Sequence, residues 1–146
     1  MITRTANAHW SGSLSDGQGR LALESGAFEG PYSFDSRFDE NYDGSSTNPE
    51  ELLGAAHAGC YTMQLSHMLA EAGHPPQRAE TTAKVHIGKV DGGFAIQTID
   101  LVLEADVPGI SENEFQEIAQ KAKQTCPLSK VLAGAEISLD ATLTSG

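Results

Sequence analysis

The residues of this sequence best suited to chemistry are its two cysteines, Cys60 and Cys126. Cys60 lies in an apolar segment with helical character, and Cys126 opens the run CPLS. The two positions are too far apart for a CxxC dithiol motif, and two sulfurs cannot fill the four ligand positions of a structural zinc site. A pair of thiols indicates redox chemistry, provided that the fold brings the two sulfurs together.

The two thiols have different expected environments. Taken alone, the position of Cys60 favours a small buried hydrophobe, and its thiolate needs a nearby cation because burial disfavours the charge. Cys126, at the start of a helical turn, is expected to be the more exposed thiol, and free backbone N–H groups there favour its thiolate. Peroxide reduction needs such a pair: one thiolate becomes a sulfenic acid, condenses with the second thiol to a disulfide, and external thiols reduce that disulfide.

Length and charge limit the classes of protein that this chain can represent. Its 146 residues suffice for one domain that needs no disulfide to stay folded. The net charge of −11 argues against a nucleic-acid partner. Apolar runs long enough for a membrane span or a signal peptide are absent, which predicts a cytoplasmic protein in a reducing compartment.

The segment around Cys60 carries the clearest helix signals in the sequence. Asn48 can cap the N-terminus, Pro49 suits the first helical position, and the two glutamates that follow favour the positive end of the helix dipole. We expect the helix to run from about Pro49 to Ala72. Its predicted apolar stripe comprises Leu53, Ala56, Cys60, Met63 and His67.

Strand patterns flank this helix on both sides. The runs 20–23 and 32–38, separated by Gly and Ser turns, predict short antiparallel strands. Apolar alternation around a glycine turn predicts a hairpin that ends near residue 103. A change of apolar parity between Ile96 and Ile99 indicates a β-bulge or a strand covered on both faces.

The C-terminal part predicts a second helix and a last strand. Ser111 and Glu114 have capping-box spacing, the helix ends near Cys126, and residues 136–143 form the strand. The sequence therefore predicts an α+β fold in which antiparallel sheets pack with two main helices, within a single domain over residues 1–146.

In combination, these motifs resemble the osmotically inducible protein C (OsmC) family, which includes the organic hydroperoxide resistance proteins. The resemblance is strongest in NPEELLGAAHAGC at 48–60 and CPLS at 126–129, with support from AHW at 8–10, SRF at 36–38 and VPGI at 107–110. It implies one long central helix carrying the first cysteine, and an intertwined homodimer with active sites at the subunit interface.

The resemblance also implies an activity and a set of site residues. The activity is a thiol-dependent peroxidase that reduces organic hydroperoxides, and hydrogen peroxide more weakly, with no metal, haem or flavin and with a dithiol reductant such as dihydrolipoamide. Cys60 matches the family's peroxidatic cysteine and Cys126 its resolving cysteine. Arg37 matches the arginine that stabilises the thiolate and steers the peroxide, and Glu50 matches the carboxylate paired with that arginine.

Helix geometry adds a constraint on this site. Glu50 and Cys60 lie about 15 Å apart along the axis of one helix, so they cannot touch within it. If Arg37 bridges the two groups, some residues of each site come from the second subunit, which is our hypothesis. Arg20 and Glu51 are the alternatives to Arg37 and Glu50.

Other functions remain open for the same residues. A protein thiol–disulfide oxidoreductase would use the same two thiols, and peroxide consumption separates it from a peroxidase. A dimer that binds a hydrophobic ligand in a helix-lined groove would use Cys60 only for packing, and Cys60→Ser would leave its function intact. A metal shared by His57, Cys60 and Cys126 is a weaker alternative, because packing or interface roles suit the histidines better. A cysteine hydrolase has less support still, because no histidine can be assigned as its base.

Overall fold

A computed structural model describes residues 1–146. The elements in chain order are β1 (Ala6–Ser11), β2 (Gln18–Leu23), β3 (Glu29–Tyr32), α1 (Phe34–Phe38), α2 (Pro49–Glu71), β4 (Arg78–Val90), β5 (Gly93–Asp106), α3 (Glu112–Thr125), α4 (Pro127–Val131) and β6 (Glu136–Ser145). This confirms the α+β class. The chain groups into two compact units, Met1–Leu52 and Leu53–Gly146, and the single-domain organisation stays a prediction. None of the helices has the length and apolar character that a membrane span requires.

The first unit contains an antiparallel sheet in the order β1-β2-β3. The predicted strand over 32–38 is wrong, because β3 ends at Tyr32 and α1 follows directly. A capping box explains the change: the Ser36 N–H donates to Ser33 Oγ (3.2 Å), and the Ser33 N–H donates to Ser36 Oγ (2.9 Å). These bonds satisfy backbone donors that a strand would have paired with a neighbouring strand.

Helix α2 starts where the sequence predicts, and Asn48 is its cap. The Glu51 N–H donates to Asn48 Oδ1 (2.8 Å), while Asn48 Nδ2 donates to the carbonyl of Ser36 (3.0 Å). One side chain thus begins α2 and ties it to α1. The helix ends before Gly73, whose φ of +87° is a backbone conformation that favours glycine.

The second unit contains a sheet in the order β4-β5-β6. The predicted bulge is confirmed, because His86 pairs with Thr98 and Ile87 with Ile96, which leaves Gln97 as the extra residue. The expectation of purely antiparallel sheets is wrong here, since β6 runs parallel to β5. Helices α3 and α4 form the long connection between these strands, and a connection of that length allows a parallel return.

The core of the second unit lies between α2, α3 and the inner face of the sheet. Ser111 caps α3 as predicted, accepting the Glu114 N–H at 3.2 Å, and Pro127 occupies the first turn of α4. The largest fully buried side chains are Tyr61, Phe115, Leu65, Leu69, Ile99, Leu101, Leu103, His57, Val107 and Cys126. One face of α2 beyond Leu53 therefore packs into this core.

The buried face of α2 differs from the predicted stripe. Ala56, Met63 and His67 are exposed, and Met63 retains 75% of its accessible surface. Larger side chains explain the correction, because Tyr61 and Leu65 remove more apolar area from water than alanine does. The face that remains outside is small and apolar, and it comprises Ala55, Ala56, Gly59 and Met63.

Candidate active site

The structure brings the two thiols together. Cys60 projects from the middle of α2, and Cys126 lies at the junction between α3 and α4. The two sulfur atoms are 3.1 Å apart and share an S–H···S hydrogen bond, and both residues are free thiols. The two sulfur atoms need to move only a short distance closer to form a disulfide bond.

The relative exposure of the thiols reverses the expectation from sequence. Cys126 is fully buried, whereas Cys60 is half-buried. Cys126 belongs to the apolar cluster that contains Phe115 and Ala122, and its side chain makes no capping hydrogen bond to α4. The corner between the two helices turns the thiol into the core rather than toward solvent. Cys60 is therefore the thiol that a solute reaches more readily.

The protonation of Cys60 depends on its surroundings. Burial raises the pKa of the Cys60 thiol above its ordinary value, and the hydrogen bond with Cys126 raises this pKa further. A backbone hydrogen bond from Leu128 acts in the opposite direction with a smaller effect. No lysine or arginine of Leu53–Gly146 is among the causes. Cys60 thus needs an additional cation to become a thiolate near neutral pH.

An arginine–glutamate pair lies in the first unit. Arg37 from α1 donates from Nε to both carboxylate oxygens of Glu50 (3.1 Å each) and from Nη2 to Oε1 (2.7 Å). The Glu50 side chain is only 8% exposed, whereas 35% of the Arg37 side chain remains exposed. The guanidinium also lies 5.0 Å from the ring centroid of Phe38. The carboxylate holds the guanidinium in one orientation and leaves part of it accessible.

The alternative residues have other partners. Arg20 pairs with Glu29 at 3.4 Å on the surface, where an ion pair contributes little. Glu51 accepts a hydrogen bond from Thr47 Oγ1 at 3.0 Å. The predicted pairing of Arg37 with Glu50 is the one that the structure contains.

A cavity of about 380 Å³ lies beside Arg37. Its apolar lining residues are Trp10, Leu14, Tyr32, Phe34 and Phe38. The indole Nε1 of Trp10 donates to the carbonyls of Gly12 (3.1 Å) and Ser13 (3.3 Å), which holds the ring in place. The sequence analysis did not predict this cavity. The available signal was the aromatic residues in HW at 9–10 and SF at 33–34.

A second buried pair lies beside the thiols. His57 Nε2 and Ser129 Oγ are 2.8 Å apart, and both residues are buried. His57 Nδ1 is buried without a hydrogen-bond partner, and burial lowers the pKa of this histidine. No three His, Cys, Asp or Glu side chains lie close enough together to hold a metal ion. The bond to Ser129 was not predicted, because nothing in the sequence links the two positions.

Comparisons with known proteins agree with this architecture. The model of the family described as OsmC-like protein matches residues 42–141. The chain is 50% identical to a protein named peroxiredoxin OsmC from Escherichia coli (strain K12), over 99% of both chains. It is 34% identical to an organic hydroperoxide resistance protein of Xanthomonas axonopodis pv. citri, over 69% of this chain and 68% of that one.

Solved structures show the same fold. The organic hydroperoxide resistance protein OhrB of Bacillus subtilis superposes with a TM-score of 0.74 at 25% identity, covering 94% of this chain and 98% of that chain. An organic hydroperoxide resistance protein from Elizabethkingia anophelis gives the same TM-score at 26% identity, with 98% and 99% covered. The α+β fold is therefore that of a class of proteins named as peroxiredoxins or for organic hydroperoxide resistance. Within that class, this chain belongs to the OsmC family, as the sequence motifs predicted.

Proposed function

We propose that this protein is a thiol-dependent peroxidase that reduces organic hydroperoxides to alcohols, and hydrogen peroxide more slowly. The observation that carries the proposal is the 3.1 Å separation of the Cys60 and Cys126 sulfurs, with Cys60 the more accessible of the two. Its full-length relative is named a peroxiredoxin, and others are named for organic hydroperoxide resistance. A free thiol pair of this geometry can pass between the reduced and the disulfide state.

In the first step, the Cys60 thiolate attacks the terminal oxygen of the hydroperoxide. The O–O bond breaks, the sulfur gains the OH group as a sulfenic acid, and the alkoxide takes a proton and leaves as the alcohol. In the second step, the thiolate of Cys126 attacks the Cys60 sulfur. The S–S bond forms, the S–O bond breaks, and the hydroxide takes a proton and leaves as water.

Arg37 supplies the cation that the Cys60 thiolate needs. Within the second unit, burial raises the pKa of Cys60 and no cation lowers it. Glu50 holds Arg37, and Glu50 and Cys60 are about 15 Å apart along α2. We therefore assign to each site the Arg37–Glu50 pair of a second subunit, in an intertwined homodimer. The exposed small apolar face of α2 supports this assembly, because it leaves an apolar surface to cover.

The cavity beside Arg37 suits the organic part of the substrate. Trp10 and Phe34 are among its aromatic walls, and its volume of about 380 Å³ lies within the range typical of small-molecule sites. The guanidinium binds the peroxide oxygens while the aromatic walls bind the hydrocarbon group. This arrangement gives an organic hydroperoxide an advantage over hydrogen peroxide, which has no group to place there.

The oxidised enzyme returns to the thiol state through a dithiol reductant such as dihydrolipoamide. The reductant thiolate attacks one sulfur of the disulfide, and its second thiol completes the exchange. We place this cycle in the cytoplasm, where reduced dithiols are maintained.

Consumption of cumene hydroperoxide and hydrogen peroxide with a dithiol reductant tests this proposal. We expect turnover that favours cumene hydroperoxide and is lost in Cys60→Ser. Cys126→Ser should turn over more slowly and lose activity progressively, because further peroxide converts its unresolved Cys60 sulfenic acid to a sulfinic acid. Equal turnover in Cys60→Ser would refute the assigned nucleophile. Cys60-dependent thiol–disulfide exchange without peroxide consumption would instead support the oxidoreductase alternative.

A further inference from the structure

A row of hydrogen bonds brackets the sulfur pair within the second unit. His57, Tyr61 and Gln64 are spaced four and three residues apart on α2 and therefore lie on one face of the helix. Each binds the α3–α4 segment: His57 Nε2 and Ser129 Oγ are 2.8 Å apart, Tyr61 Oη donates to the Ala119 carbonyl (3.1 Å), and Gln64 Nε2 donates to Thr125 Oγ1 (3.1 Å). We call these three bonds the α2 clamp.

The α2 clamp encloses both cysteines in sequence and in space. On α2, Cys60 lies between His57 and Gln64, about one helical turn from each. On the opposite side, Cys126 follows Thr125 directly and precedes Ser129 by less than one turn. Hydrogen bonds are directional, so these three bonds add a defined register to the apolar packing between α2 and the α3–α4 segment. The clamp therefore fixes the position of one sulfur relative to the other.

The buried histidine makes a directional polar contact inside the core. His57 is fully buried, yet its Nδ1 atom has no hydrogen-bond partner. A buried polar side chain is oriented by the hydrogen bond that it makes, so the contact with Ser129 fixes how α2 and α4 meet.

We propose that the α2 clamp is a positioning device for the resolving step, which keeps Cys126 within bonding reach of the Cys60 sulfenic acid and so protects Cys60 from over-oxidation. The proposal rests on the proposed peroxidase function. A sulfenic acid has two fates, because the Cys126 thiolate converts it to a disulfide with loss of water, whereas a second hydroperoxide converts it to a sulfinic acid with loss of alcohol. Misplacement of a reacting atom by about 1 Å can slow a step as much as 100-fold. His57 and Ser129 are therefore positioning residues.

The test measures the partition between these two fates. Reduced protein is mixed with increasing cumene hydroperoxide, and the disulfide and the Cys60 sulfinic acid are quantified by mass spectrometry after thiol blocking. The rate of the first step is measured separately from peroxide loss. We expect Ser129→Ala to leave the first step within about twofold and to increase the sulfinic fraction about tenfold at a given peroxide concentration.

A double variant separates an effect on the relative position of the two sulfurs from an effect on the stability of the protein. His57→Leu with Ser129→Ala removes both polar partners and leaves no unpaired atom, so its unfolding midpoint should stay near that of the parent protein. If the clamp sets position, the double variant still over-oxidises about tenfold more. The matched control is Thr62→Val, because Thr62 Oγ1 binds Thr81 on β4 at 2.7 Å and not the α3–α4 segment. This control should partition like the parent protein.

Two results would overturn the proposal. The first is a parent-like sulfinic fraction in both Ser129→Ala and the double variant. The second is an equal rise in Thr62→Val, which would indicate a general loss of packing. If the parent protein consumes no peroxide, the proposed function fails instead. Oxidation by diamide, which forms the Cys60–Cys126 disulfide without peroxide, then tests the clamp. The clamp predicts slower disulfide formation in Ser129→Ala and in the double variant.

Discussion

The Arg37–Glu50 pair gives the sharpest prediction, because it separates the stability of the fold from the chemistry of the thiol. Replacing Arg37 by Met leaves the Glu50 carboxylate without its three hydrogen bonds at a site where only 8% of the side chain is exposed. Breaking a fully buried ion pair costs roughly 3–5 kcal/mol. The Arg37 side chain is about one-third exposed, at 35%, so we expect about 2–3 kcal/mol for this pair.

The second half of this prediction concerns the double variant. Glu50→Gln removes the charge that Arg37→Met leaves unpaired, so Arg37→Met with Glu50→Gln should recover about 1–2 kcal/mol of the lost stability. Peroxidase activity should not recover, because the cation that we assign to the Cys60 thiolate is still absent.

Urea unfolding and initial rates with cumene hydroperoxide measure the two quantities. For a chain of this length, the expected loss in Arg37→Met corresponds to a fall in melting temperature of roughly 5–10 °C. Additive stability effects of the two substitutions would show that the pair is not coupled. Activity of the double variant equal to that of the parent protein would refute the role of Arg37 at the thiolate.

Four further predictions address pH dependence, substrate preference and packing. Burial raises the pKa of Cys60, so in Arg37→Met its alkylation by iodoacetamide should accelerate only at a pH above the range of an ordinary cysteine. A plateau below about pH 8 in that variant would contradict this prediction. Burial lowers the pKa of His57, so the unfolded chain binds a proton at higher pH than the folded chain does. The free energy of unfolding should therefore fall as the pH drops below about 6.5. Chemical denaturation at several pH values measures this dependence, which His57→Leu should remove. Trp10→Ala should raise the KM for cumene hydroperoxide several-fold and leave the KM for hydrogen peroxide unchanged, because Trp10 lines the cavity beside Arg37. Leu65→Ala should lower the free energy of unfolding by about 2–5 kcal/mol, because Leu65 is fully buried, and should leave the preference between the two peroxides unchanged.

Local signals in the sequence were sufficient for the elements with strong caps. Asn48 and Pro49 located the start of α2 to the residue, and Ser111 located that of α3. The parity change after Ile96 located the bulge, because side-chain alternation reports strand register directly. Helix α1 escaped prediction because it has only five residues and its capping box ends in Ser36 rather than in Glu or Gln.

Features that depend on distant parts of the chain could not be predicted from local patterns. The parallel pairing of β6 and the burial of Cys126 depend on how α3 and α4 pack. The bond between His57 and Ser129 joins positions 72 residues apart. Identification of Arg37 and Glu50 came from the family resemblance, since nothing in composition or periodicity distinguishes them from Arg20 and Glu51. The roles of these site residues stay predictions.

The most direct test of the central claim is the stoichiometry of a single turnover. Reduced protein receives one equivalent of cumene hydroperoxide without reductant, and the alcohol and the cysteine products are then quantified by peptide mapping. The account predicts one alcohol and one Cys60–Cys126 disulfide for each peroxide, with neither product in Cys60→Ser. Peroxide loss that leaves both thiols unmodified, or that continues equally in Cys60→Ser, would contradict it.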